Sequence, residues 1–194
     1  MQRLYDFLRR HPTWVDGFWA VILFGLSVVG GATTEESRGT ELPALTVPVV
    51  LLLSLVVALR RRMPERMLML ALGVGLAQLA LDVATGPADF ALLVIVYTVA
   101  AVGARWASRV ALAAGLCAAP LAQLRWPSPH SSTFEHVALS IILAVPFALA
   151  WVLGDSIRTR RAYFAQLEER AARLEKEREA QAKVAVAAER ARIA

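Results

Sequence analysis

The chain has 194 residues, of which 57% are hydrophobic and 19% charged, with a mean hydropathy of +0.52 and a net charge of +5. That composition excludes an ordinary soluble domain and points to a membrane protein, and the single cysteine, Cys117, excludes an internal disulfide framework. The basic residues stand beside apolar segments and not on one soluble face, so they read as topology signals and not as a nucleic-acid surface.

Near its start the chain reads LYDFLRRHPTW, a stretch expected to lie along the inner membrane surface with Tyr5, Trp14 and Trp19 at headgroup depth. A basic start followed by an apolar run has the outline of a signal peptide. The long basic region, Asp16 and Trp19 at the entry, and the lack of a small-x-small site before TTEES favour a retained first span, about 14–32. His11 is then a surface residue.

Five more apolar segments follow, at about 42–59, 67–85, 88–104, 107–124 and 137–153, several near the roughly 17-residue minimum for a membrane helix. With the N-terminus inside, the predicted cytoplasmic segments hold Arg3, Arg9, Arg10, Arg60, Arg61, Arg62, Arg66, Arg105, Arg109, Arg158, Arg160 and Arg161. The predicted outside loops hold only Arg38 and Arg125. Cytoplasmic loops carry the excess of arginine, so residues 1–153 read as a six-span bundle with both termini cytoplasmic.

Polar residues inside the spans are few: Asp16 near the inner edge of the first, Gln78 and Asp82 in the third, and Gln123 near the outer edge of the fifth. Gln78 and Asp82 are four apart, so a helix puts them on one face; either they act as a pair inside the bundle, or Asp82 reaches outside water near TGPAD. Pro48, Pro120 and Pro146 fall inside the second, fifth and sixth spans, where each removes a backbone donor. A haem would need histidines within the spans, and His11, His130 and His136 lie outside them.

The outside loops supply the remaining candidate sensing residues: Glu35, Glu36 and Arg38 in TTEESRGTELPA, and Arg125, His130, Glu135 and His136 in RWPSPHSSTFEH. The spacing of the histidines and Glu135 matches no established zinc site, and no metal or other cofactor is expected in this chain. Neither loop approaches the roughly 50 residues of a folded domain, so a stimulus is expected to act on the bundle itself or on these short loops.

Residues 154–194 read as a cytoplasmic helix. From Asp155 onward there is neither glycine nor proline, and Ala, Glu, Arg, Leu, Lys and Gln dominate. Phe164, Leu167, Ala171 and Leu174 follow the 3-4-3 spacing of a parallel coiled-coil seam. The strict heptad then puts Arg178 and Gln181 in the seam, whereas Ala171, Ala182 and Ile193 repeat at eleven residues, the mark of a stutter. Pairing with a second copy along this seam is expected, the alternative being a solitary helix held by charge pairs such as Glu169–Arg173. Gly154, at the membrane exit, is the expected hinge.

RRHPTWVDG, LRRRMPERM, LLVIVYTVAAVGARW and RTRRAYFAQLEERAARLEKERE running into AAERARIA together resemble the membrane sensor half of bacterial sensor histidine kinases. The resemblance is to the subfamily of the nitrate sensors and the desaturase-controlling thermosensor, above all its actinobacterial members. It implies a region of a two-component kinase that passes a stimulus through the last span and a coiled coil to control autophosphorylation and phosphotransfer to a response regulator. In that family ERxRIA leads into the phosphoacceptor motif, so AAERARIA is expected to be the first turns of the phosphotransfer helix. Neither that motif nor the ATP-binding boxes occur in this chain, so no catalytic residue is carried over, and ATP and magnesium belong to the parent kinase that the resemblance implies. A homodimer through the C-terminal helix, the lipid bilayer of the bacterial cytoplasmic membrane and a response regulator are the expected partners. Two other classes stay open: a membrane scaffold protein, and a small transporter dependent on Asp82.

Overall fold

The computed structural model describes residues 12–36, 45–83, 85–126 and 133–193. Six α-helices form, and no strand occurs among the described residues: α1 Pro12–Glu36, α2 Thr46–Leu59, α3 Pro64–Leu81, α4 Phe90–Val102, α5 Arg105–Arg125 and α6 Thr133–Ile193, with one 3₁₀ turn, Pro87–Asp89, leading into α4. Three of these are long and apolar enough to cross a membrane: α3, α5 and the Phe134–Gln181 stretch of α6. The apolar parts of the others are shorter; α2 has 14 residues and α4 has 13, about 20 Å each.

The chain divides into two units, residues 1–155 and 156–194. In the first, α1 packs on α2, α2 on α3, α3 on α4 and α4 on α5, while α2 also meets α4 and α3 also meets α5. Two apolar clusters fill the interior. Val49, Val50, Leu53 and Val57 of α2 pack with Ala20, Val74 and Ala91, while Leu68, Ala71, Ile95, Val99, Ala107 and Ala111 pack with Val56. Helices in lipid lack a hydrophobic drive toward one another and gain cohesion by close backbone approach at small residues. The buried face of α5 follows that rule: Ala107, Ala111, Gly115 and Ala119 recur every fourth residue. A Cβ on Gly115 would come within 2.9 Å of Phe147 in α6.

Gly154 has the same physical reason. An added Cβ there would lie 2.5 Å from the Tyr97 carbonyl oxygen and 2.6 Å from the Ala100 Cβ, so this buried glycine lets α6 approach the backbone of α4. It sits inside a continuous helix, and close packing, not a loose backbone, is what the structure asks of it. The Trp151 indole N–H, one turn earlier, donates to the Ser108 hydroxyl at 2.9 Å and to the Ser108 carbonyl at 3.1 Å, which fixes α6 against α5.

Several boundaries differ from the sequence expectation. Glu35 and Glu36 fall in the last turn of α1 and Glu135 and His136 in the first turn of α6, where loops were expected; the helices reach this far because the extensions, 32–36 and 133–136, tolerate helical backbone and contain neither glycine nor proline. Pro48 stands in the first turn of α2, where no intrahelical N–H bond exists to be lost, so only Pro120 and Pro146 interrupt a helix interior. Arg38, His11 and His130 lie outside the described residues. In the second unit, Phe164, Leu167, Ala171, Leu174, Arg178 and Gln181 are all exposed on the single helix, and the Glu169–Arg173 pair forms at 2.5 Å.

Candidate functional site

Gln78 and Asp82 were expected to share a helix face, and the structure corrects this. Helix α3 ends at Leu81 because Asp82 adopts the left-handed conformation, φ 61° and ψ 34°, with its N–H returning to the Gln78 carbonyl. Aspartate is among the few residues besides glycine that tolerate this geometry. The reversal carries the Asp82 carboxylate away from the Gln78 face and toward the end of α5. There its Oδ1 accepts the Trp126 indole N–H at 2.8 Å and meets Arg125 Nη2 at 3.0 Å. Arg125 Nε also donates to the Leu79 carbonyl at 3.0 Å, one of the carbonyls that a helix C-terminus leaves open. One guanidinium thus holds the last turn of α3 and its capping carboxylate together.

Gln78, which is 5% exposed, turns instead to a residue that the sequence reading did not single out. Its Nε2 donates to Asp89 Oδ1 at 3.1 Å, while the Gly86 N–H donates to Asp89 Oδ2 at 2.7 Å. Asp89 closes the 3₁₀ turn, its own N–H bonding the Gly86 carbonyl, so the turn, α3 and the start of α4 are joined through one carboxylate. The signal was present in GPAD: an acidic residue three after a glycine, with proline between them, is how a carboxylate reaches back to cap a helical turn.

This end of the bundle therefore gathers two carboxylates, a guanidinium, an indole and a carboxamide. The Asp82–Arg125 pair remains accessible, its side chains 56% and 41% exposed. From the water side the pair is open to an ion or polar group that competes for either partner. Of the other sequence candidates, Glu135 and His136 stand in the first turn of α6 and Glu35 and Glu36 in the last turn of α1. No group of three or more metal-ligating side chains occurs among the described residues.

The opposite end of α3 faces a second polar centre. Asp16 is fully buried and meets Arg60 Nη2 at 2.5 Å and Arg61 Nε at 2.6 Å. The Arg60 contact is a hydrogen bond; the Arg61 contact is an ion pair whose angle leaves Oδ2 without a hydrogen bond. Sequence reasoning treated Asp16 as an edge residue and the arginines as topology signals, since a contact across 44 residues has no periodic signature.

Residues 4–161 match the family described as Domain of unknown function (DUF7134), and the chain belongs to that family. The matched stretch spans nearly all of the first structural unit and ends shortly beyond its boundary at Asp155. No curated protein and no solved structure matches the chain.

Proposed function

We propose that this member of the DUF7134 family is the membrane sensor and signal-transmitting region of a two-component sensor histidine kinase. On this reading the six helices cross the bacterial cytoplasmic membrane with both termini inside, and the chain dimerises through residues 156–193. A kinase region using ATP and magnesium, and a response regulator, lie downstream.

The observation that carries the reading is the single helix Thr133–Ile193. Its apolar part docks on α4 and α5 through Phe147, Trp151 and Gly154, and its charged part bears the apolar spacing of Phe164, Leu167, Ala171 and Leu174. A sensor needs an element that belongs to both the sensing bundle and the output helix, and this helix contains the sequence of both. The route supported by the contacts runs from Asp82 and Arg125, which join α3 to α5, along α5 to Ser108, whose bonds with Trp151 join α5 to α6. A stimulus that separates Asp82 from Arg125 changes the seating of α5, and α6 shifts with it. The stuttered seam at Arg178 and Gln181 gives the output helix two registers of similar energy, the bistable element a switch requires.

The test is a chimera of residues 1–194 joined in frame to the catalytic region of a histidine kinase, assayed for autophosphorylation in membranes. Asp82→Asn and Arg125→Gln are expected to shift the phosphorylated fraction severalfold. Output that is blind to both substitutions would overturn the sensor reading.

A further inference from the structure

We infer that the start of α5 is a binding site for an anionic phospholipid, with Arg105 and Arg109 holding the headgroup phosphate and Trp106 and Val110 lying along the acyl chains. Arg105 and Arg109 are one turn apart on one face of α5, and both are exposed. Trp106 and Val110, offset by one residue, form a parallel stripe, 51% and 37% exposed. A cationic stripe beside an apolar one, at the end of a helix long and apolar enough to cross a membrane, has the amphiphilic pattern of a phospholipid.

Among the described residues nothing answers the charges of this stripe. No carboxylate pairs with Arg105 or Arg109 among the described residues, and the first turn of α5 contains no acid. Like charges four apart on a helix repel, so the arrangement favours a bound anion. The acids placed at this end by neighbouring helices are Asp16, Glu65 and Asp155, and each has a partner of its own. Asp16 holds Arg60 and Arg61, and Glu65 Oε1 accepts the Ala104 N–H at 3.3 Å. That last bond ties the start of α3 to the start of α5, which adds exposed Arg66 to the same end of the bundle. The contrast with Arg60, Arg61 and Arg125, each paired with a carboxylate, separates this stripe from the arginines that serve the fold.

The test uses the full chain purified from bilayers of phosphatidylglycerol and phosphatidylcholine in equal amounts, with retained lipid counted by native mass spectrometry. Wild type is expected to retain phosphatidylglycerol in preference, Arg105→Lys/Arg109→Lys to keep that preference, and Arg105→Gln/Arg109→Gln to reduce it at least about fivefold with an unchanged helical circular dichroism signal. Equal retention of both lipids by the wild type would overturn the site, as would a glutamine variant that keeps its preference. Loss of the retained lipid on adding millimolar inorganic phosphate would show a site for a free anion and overturn the lipid assignment. If the glutamine variant fails to fold, the wild-type preference and the phosphate challenge still decide.

Discussion

Arg60 donates to Asp16 at 2.5 Å across 44 residues of sequence, and the carboxylate that it meets is fully buried. Arg60 itself is only 15% exposed at the side chain, whereas Arg61, the second cation on the same carboxylate, is 53% exposed. Breaking a buried pair by removing one partner leaves an uncompensated charge, at a cost of about 3–5 kcal/mol. Asp16→Asn is therefore expected to lower the unfolding midpoint in mild detergent strongly, and Arg61→Gln, which removes a half-exposed cation from the same buried carboxylate, to lower it by less. Equal losses from the two substitutions would show that the burial of Arg60 is not what stabilises the α1–α2 junction.

At Asp82 the backbone and the side chain make separate demands. The φ of 61° disfavours any residue with an ordinary Cβ by roughly 1–2 kcal/mol, but glycine and asparagine accept it readily. Asp82→Ala is expected to destabilise the protein more than Asp82→Gly or Asp82→Asn, although all three remove the ion pair with Arg125. Stability that tracks loss of charge alone, with the three variants alike, would contradict this. The Arg125 pair itself, exposed on both sides, is expected to show a coupling energy below about 1 kcal/mol in a double-mutant cycle.

How much of this was legible in the sequence follows from the range of each interaction. Six apolar segments and a charged, glycine-free tail are local patterns, and the helices occur where those patterns stand. The functional geometry is not local. Gln78 and Asp82 are correctly placed at one end of α3, but their face-sharing assumed that the helix continued through Asp82, and a single left-handed residue redirects the carboxylate to Arg125. Asp89 escaped notice because its role depends on a turn closing on Gly86, and Asp16 because its partners come from another helix. Gly154 reads as a flexible point when seen alone, since the reason for it, the backbone of α4, is more than fifty residues away.

The glycines separate two kinds of substitution. A Cβ at Gly154 would press on the Tyr97 carbonyl oxygen and on Ala100, and neither is the end of a flexible side chain, so Gly154→Ala must push α6 off α4. Overpacking of this kind costs about 1–3 kcal/mol. Gly73 and Gly75 lie inside α3 with nothing within 4 Å of an added Cβ, so Gly73→Ala and Gly75→Ala are expected to stabilise by up to about 1 kcal/mol through helix propensity. A thermal midpoint that falls for Gly154→Ala and rises for Gly73→Ala and Gly75→Ala would bear this out. A neutral Gly154→Ala would show that α6 does not seat as closely on α4 as the geometry requires.

The proposed dimer makes a prediction along residues 164–193, where every described side chain is exposed on a single helix and an apolar seam has no core of its own to enter. Single cysteines introduced through this stretch on a Cys117→Ser background, oxidised in membranes, are expected to crosslink with maxima at Leu167, Ala171 and Leu174. Beyond Arg178 the maxima should shift in phase, because an eleven-residue spacing through Ala171, Ala182 and Ile193 replaces the heptad and moves the contact line around the helix. Replacing Arg178 and Gln181 with Leu extends the heptad through the stutter and favours one register. In the histidine-kinase chimera that double substitution is expected to fix autophosphorylation at a single level, whatever residue stands at Asp82. Weak, uniform crosslinking would identify the segment as a solitary charged helix. Crosslinks that keep heptad phase through Gln181 would remove the stutter as the source of two registers.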